Sequence, residues 1–401
     1  MLTTQALPEK TPNIANECKN DAAHVSRRAR LAARLKSAVA SLSPRGVGGV
    51  GARRVRVLPL ITAMVALTAT TLGTVLLPSH AHAADRLSLL CSADLEWCQL
   101  MKSRFEKETG IGVAMIRKSA GEALALLTAQ RARPQFDIWW AGSGDSHLQA
   151  AFEGLTDAYR SPALSQLQPW AQRFAQVGRD RTVGVYQGLL GIGYNVAELR
   201  RRKVDAPRCW RDLLAPGLKG EIQIANPNSS GTAYVALATL VQLMGEDQAF
   251  AYMRSLNANV SQYTATGVAP GEAASRGEAS VAIEFLHDLV KQRVAGFDIA
   301  TTAPCEGTGY EIGGMSLVAG AAHPAIAKQF YDFALRADVQ SLADQAHAYQ
   351  LPSNSQAAVP KQAPQPSGIK LIDYDFARYG DPATRKRLLQ RWNTEIYAHA
   401  R

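Results

Sequence analysis

"TVGVYQGLLGIGYN" (182–195) is long for a strand and carries four glycines, at 184, 188, 191 and 193. Its other residues are mostly apolar, with the β-branched and aromatic types that strands favour. Glycine inside a strand marks a bend or a close approach. The stretch therefore reads as a strand that crosses from one part of the molecule to another, where the backbone must bend. Upstream of it, short apolar strands alternate with amphipathic helices: strands at 86–92, 111–118 and 136–142, helices at 93–110, 119–134 and 143–155. In 93–110, Leu95, Cys98, Met101 and Phe105 fall near helical spacing, and Gly110 is a stop signal. Downstream, a strand at "ASVAIEF" (279–285), a glycine-rich strand and loop at 303–324, a Pro-rich loop at 350–368 and a charged terminal helix follow. Such alternation predicts an α/β fold with a parallel sheet. Ligands of such sheets bind where strand carboxyl ends meet helix N-termini.

The 401 residues carry a net charge of +10. Residues 1–83 hold 11 Lys and Arg against 3 Asp and Glu, leaving 33 basic and 31 acidic residues for the rest. The basic excess therefore belongs to the N-terminal piece, and no basic stripe with interleaved aromatics argues for nucleic acid. That piece reads as targeting. Arg53, Arg54 and Arg56 precede an uncharged run at 57–78, followed by Ala81 and Ala83 at the small-residue positions of a cleavage site. Cleavage is expected after Ala83, into the periplasm, with an uncleaved membrane anchor as the alternative. Residues 1–52 are long for a leader, which suggests an over-called start codon or an extra extension.

Four cysteines follow the leader: Cys91, Cys98, Cys209 and Cys305. An even count in an oxidising compartment favours disulfides. Of three connectivities, Cys91–Cys98 would close a short loop and leave Cys209–Cys305 as a long-range clamp. Free buried thiols are the alternative. No spacing suggests a metal site.

The loops collect hydroxyls. Ser92, Ser119, Ser143 and the run Ser229-Ser230-Gly231-Thr232 each follow a strand and open a helix. Such loops present free amides at the positive end of a helix dipole, so several converging would bind an anion. Any one of them can be a cap alone. At 229–232 the hydroxyls exceed what capping needs, and glycine allows close approach. Thr264 lies in a similar polar turn. Glu284 ends a strand and is the candidate for an amine or hydroxyl of an organic ligand; Asp288, one turn later, reads as a salt-bridge partner. Tyr194, Tyr234, Tyr263 and Tyr310 are candidate ligands or packing residues, with packing favoured for Tyr234. In "GSGDSH" (142–147), Asp145 and His147 read as cap and surface residues. No nucleophile elbow, phosphate loop or cofactor fingerprint is present, so no catalytic residue, metal or cofactor is expected.

These segments resemble the periplasmic solute-binding proteins of ABC importers with the type II fold, in the branch that binds ferric iron, 2-aminoethylphosphonate or sugar phosphates. The resemblance rests on "CSADLEWC" (91–98), "FEKETGIGVAMIRKSAGE" (105–122), "FDIWWAGSGDSHLQAA" (136–151), "GEIQIANPNSSGTAY" (220–234), "CEGTGYEIGGMSLVAGAAHP" (305–324) and "YDFARYGDPATRKRLLQRW" (374–392). It covers about 86–400 in order. It implies two α/β lobes joined by crossing hinge strands, with the ligand cleft between them. Lobe one is then expected at 84–187 and 288–347, lobe two at 188–287 and 348–401. It implies a small phosphorylated or phosphonate anion as ligand, an ABC importer permease as partner, no nucleic acid, and a monomer. The ligand-binding positions it implies are Ser92, Ser119, Ser143, Ser229, Ser230, Thr232, Thr264, Glu284 and Tyr310. Two alternatives accompany it. A ferric-ion binder of the same fold is disfavoured by the lack of a Tyr-Tyr pair. A ligand-sensing partner of a membrane sensor kinase would use the same cleft.

Overall fold

A computed structural model describes residues 86–400. The expected targeting segment lies outside the described residues. Among the described residues no helix is long and apolar enough to cross a membrane.

Strands β1 (Arg86–Cys91), β2 (Gly112–Arg117) and β3 (Ile138–Ser143) pair in parallel, with β1 in the middle. Helix α1 (Leu95–Thr109) joins β1 to β2, α2 (Ala120–Ala129) follows β2, and α3 (Gly144–Phe152) follows β3. α1 buries Trp97, Cys98, Met101 and Phe105, while Leu95 is exposed. Gly110 ends it at φ 73, a left-handed conformation that costs glycine no Cβ clash.

After the short β4 (Thr156–Asp157), β5 (Val183–Asn195) runs through the whole molecule. Beyond it lie β6 (Ile222–Ala225), α4 (Gly231–Met244), β7 (Val260–Thr264), β8 (Val281–Phe285), α5 (Leu286–Val294), β9 (Ile299–Thr302), β10 (Tyr310–Val318) and β11 (Leu351–Pro352). The first part of β5 pairs antiparallel with β10, from Val183 to Leu189; the second pairs antiparallel with β8 and β9, from Leu190 to Asn195. β10 also lies antiparallel against β3, and β6 lies parallel between β7 and β8. The sheet is therefore mixed, not wholly parallel, because strands that cross between halves return in the opposite sense.

The glycines of β5 supply space. None of the four has a positive φ. A Cβ would lie 2.2 Å from Leu286 Cδ2 at Gly191, 2.3 Å from Leu289 Cδ2 at Gly193 and 2.4 Å from His287 Cε1 at Gly188. Helix α5 sits directly on these bare positions.

Pairing places α5 and β9 with the second half, whereas the expected partition gave 288–310 to the first. β11 pairs Gln187 and Tyr186, so residues near 351 lie with the first half and not the second. Helices α6 (Phe376–Tyr379) and α7 (Pro382–Glu395) then join the second-half core through Phe376, Tyr379, Leu388 and Trp392. That core also takes Leu148 and Phe174 from the first half. The disulfides are Cys91–Cys98 and Cys209–Cys305, which settles the connectivity left open above as the local and long-range pair.

Candidate functional site

The carboxyl ends of β1, β2 and β3 meet those of β6 and β8 across a cavity. Ser92, Ser119, Ser143, Ser230 and Thr232 all line it. Three of them open helices α2, α3 and α4. Ser230 accepts a hydrogen bond from Ala233 N at 3.3 Å, so it is the cap of α4. The first backbone bond inside that helix is Tyr234 N to Ser230 O, which leaves the Gly231 and Thr232 amides ahead of it. Trp139 Nε1 donates to Ser92 Oγ at 2.9 Å, which orients that hydroxyl. Gly142 N donates to the Tyr186 hydroxyl at 3.1 Å, and Tyr186 also lines the cavity.

The loops of the two halves touch. Ser229 O accepts from Gly121 N at 3.0 Å and lies 2.8 Å from Ser119 Oγ. Glycine is needed on both sides: a Cβ would meet Ser229 O at 2.6 Å from Gly121, and Ser143 Oγ at 2.1 Å from Gly231. Lys291 of α5 donates to Asp94 at 2.9 Å and Glu96 at 3.2 Å, a further bond between the halves.

The same cavity also carries acidic groups. Asp94, His287, Asp288 and Glu311 line it, with Arg117 beside them. His287 Nε2 lies 3.4 Å from Asp288 and 3.9 Å from Glu311. Burial pushes the His287 pKa down to about 3, so the ring is neutral. Burial, then the charge of nearby carboxylates, pushes Asp288 and Glu311 well above the usual carboxylate range. The two side chains have no protein hydrogen-bond donor within reach among the described residues, apart from the His287 contact.

Four expected positions do not line the cavity. Ser229 donates its hydroxyl proton to Ala265 O at 2.8 Å and contributes its carbonyl to the contact between halves. The Thr264 hydroxyl donates to Thr266 O at 2.9 Å and closes its own turn. Glu284 is fully buried and accepts from Gly271 N at 2.6 Å; burial and the Asp288 charge push its pKa well up. Tyr310 packs against Tyr374 and Phe376. Asp288, read as a salt-bridge partner, faces the cavity instead. Asp145 and His147, read as cap and surface, are fully buried. His147 stacks on Trp139 at 3.6 Å and its Nε2 bonds Ala141 O at 3.0 Å, which fixes the turn before Ser143. Glu306 accepts from the Trp210 and Arg211 amides near the second disulfide.

No metal set converges on the cavity among the described residues. Cys209, Cys305 and Glu306 cluster, but both sulfurs are bonded to each other. Tyrosine ligands for iron are absent from the cavity except Tyr186, whose pKa burial pushes well up. Tyr234 donates to Tyr379 O and Tyr263 to Asn257, so their hydroxyls are engaged elsewhere.

Residues 134–379 match the family described as bacterial extracellular solute-binding protein. An uncharacterised protein of Haemophilus influenzae is 39% identical over 321 residues, covering 79% of this chain and 92% of that one. The periplasmic binding protein AfuA from Actinobacillus pleuropneumoniae, solved with exogenous fructose 6-phosphate, is 42% identical with a TM-score of 0.77. The match covers 78% of this chain and 99% of AfuA. The periplasmic binding protein P5PA is 36% identical with a TM-score of 0.76, over 78% of this chain and 99% of that one. The chain belongs to the bacterial extracellular solute-binding protein family, a family of binding proteins and not of enzymes.

Proposed function

We propose that this solute-binding protein is periplasmic and monomeric, and carries a small phosphorylated organic solute, of the sugar phosphate class, to an ABC permease. The observation that carries this reading is a single cavity lined both by helix-start hydroxyls and by buried carboxylates. The hydroxyls, with free amides at helix N-termini, suit a phosphoryl group without a lysine. The buried carboxylates accept from the hydroxyls of an organic part. The fructose 6-phosphate in the AfuA structure supports the same class. Ser92, Ser143, Ser230 and Thr232 hold the phosphoryl end in this reading; the Ser119 hydroxyl, whose proton goes to Ser229 O or Glu122, braces the loop beside them. Ser229, Thr264, Glu284 and Tyr310 act behind it, through backbone contacts and packing. The solute enters when the halves part and is enclosed when they meet.

A thermal-shift screen tests the reading. The arms are fructose 6-phosphate, glucose 6-phosphate, 2-aminoethylphosphonate, inorganic phosphate and ferric citrate. A true ligand at 100 times its Kd adds about 2.7 kcal/mol of stability. Stabilisation by ferric citrate alone, with a tyrosinate absorption band, would replace this reading with the iron one. Sedimentation equilibrium checks the monomer.

A further inference from the structure

A second cavity lies behind the wall of the first. It measures about 20 Å³ and shares two residues, Tyr186 and Gln350, with the solute cavity. Its lining is mostly apolar, yet two polar atoms in it have no hydrogen-bond partner among the described residues. They are the indole N–H of Trp140 and the carboxamide oxygen of Gln350, on residues 2% and 8% exposed. Buried polar groups are almost always paired. The other amide in this lining, Gln340, is already engaged. Its Nε2 donates to Ala334 O and Ser353 Oγ, and its Oε1 accepts from Asn354 N. One unpaired donor and one unpaired acceptor complement a single water, and the volume suffices for one.

Gln350 also stands at a telling level of the hinge. Leu351, its neighbour, pairs Gln187 on one edge of β5; Glu311 pairs Gly188 on the other. Gln350 therefore belongs to the acidic part of the solute cavity, where His287 overlies Gly188. That part is rich in acceptors. A solute hydroxyl that donates to Asp288 or Glu311 still has lone pairs, and the Gln350 NH2 is a donor able to meet them.

We infer that Gln350 is a specificity-determining residue that reads the organic part of the solute through its amide NH2. A single water, accepting from Trp140 Nε1 and donating to Gln350 Oε1, fixes that orientation. Trp140 is a positioning residue, acting only through the water. Without the water the carboxamide is free to flip and show the cavity another acceptor. The inference rests on the phosphorylated-solute reading for its choice of probes.

Calorimetry with the full chain, fructose 6-phosphate and inorganic phosphate tests it, beside a high-resolution crystal structure of the wild type. Gln350→Met should weaken fructose 6-phosphate about tenfold and leave inorganic phosphate within about twofold. Trp140→Phe should show the same split, and the double variant should be no worse than Gln350→Met, because the two act as one unit. The crystal structure should show a water about 3 Å from both orphan atoms. A dry cavity, wild-type affinities in Trp140→Phe, or equal losses for both probes would overturn the inference. If Trp140→Phe does not fold, the Gln350→Met split and the water decide. If the wild type binds neither probe, the phosphorylated-solute reading falls, and the water alone decides this one.

Discussion

Helices α4 and α5 both begin at the carboxyl end of a second-half strand, and they treat their N-termini in opposite ways. α4 has no acidic residue in its first turn; it has Ser230, Gly231 and Thr232 facing the cavity. α5 carries Asp288 in its first turn, with His287 beside it. A helix N-terminus is worth about half a positive charge. At α4 that charge is left for a solute anion. At α5 the protein's own carboxylate meets it, so the same element of structure becomes an acceptor. On the proposed reading, one scaffold thus presents two kinds of helix start to one solute.

A third junction, β3 to α3, gives the largest effect. Asp145 lies in the first turn of α3 but is fully buried, and the Tyr374 hydroxyl donates to it at 3.2 Å. Burial, partly opposed by Arg385, raises its pKa from 3.8 to about 7. The folded protein therefore binds this proton more tightly than the unfolded chain does. Stability from it is full below about pH 4 and falls as pH rises towards 7, by about 1.4 kcal/mol per unit, up to about 4 kcal/mol. Asp145→Asn removes that slope. The variant's Tm relative to wild type should climb between pH 4 and 7 and then level off. A constant difference across that range would show that burying an acid at a helix start costs nothing here, and the contrast with α5 would lose its basis.

Ser230→Asp gives the start of α4 an acid, as α5 has at its own start. Asp caps as well as Ser, so circular dichroism should be unchanged. The new carboxylate faces the place of the phosphoryl group, and like charges in contact cost several kcal/mol. Fructose 6-phosphate affinity should fall by about 100-fold or more, by calorimetry. Retained affinity would mean that the anion lies elsewhere.

Gly231→Ala is smaller. Its Cβ would sit 2.1 Å from Ser143 Oγ, across the contact between halves. Overpacking of this kind costs about 1–3 kcal/mol, and here it falls on the closed form. Solute affinity should drop about tenfold while the Tm without solute stays close to wild type if the halves part easily. A matching loss of Tm would show that the halves stay together without solute.

The α4 end was legible in the sequence because it is local: strand, polar turn and helix lie within 222–244, and the excess of hydroxyls shows in one glance at 229–232. Which hydroxyl does what was not. Ser229 turns away because Ala265 O, 36 residues on, takes its proton. The α5 end was largely hidden. Asp288, Glu311 and Gln350 become neighbours only when β5 pairs β10 on one edge and β8 and β11 on the other. Likewise, nothing near Asp145 and His147 signals burial, since the segment that covers Asp145 holds Tyr374, 229 residues away. The glycines of β5 marked a crossing strand correctly for another reason than bending: three of the four make room for α5.

The smallest expected effect is the sharpest test of the division of labour. Asp288→Asn keeps the shape and one acceptor oxygen and replaces the other with an NH2 group. Losing one hydrogen bond to the solute costs about 1 kcal/mol, so fructose 6-phosphate should weaken about fivefold. Inorganic phosphate has no organic part and should not weaken. Burial raises the Asp288 pKa, so wild type loses stability from this group as pH rises above the ordinary carboxyl pKa, and the Tm of Asp288→Asn relative to wild type should increase with pH. Equal weakening of both ligands would place the phosphoryl group against α5, and the opposition between the two helix starts would have to be reversed.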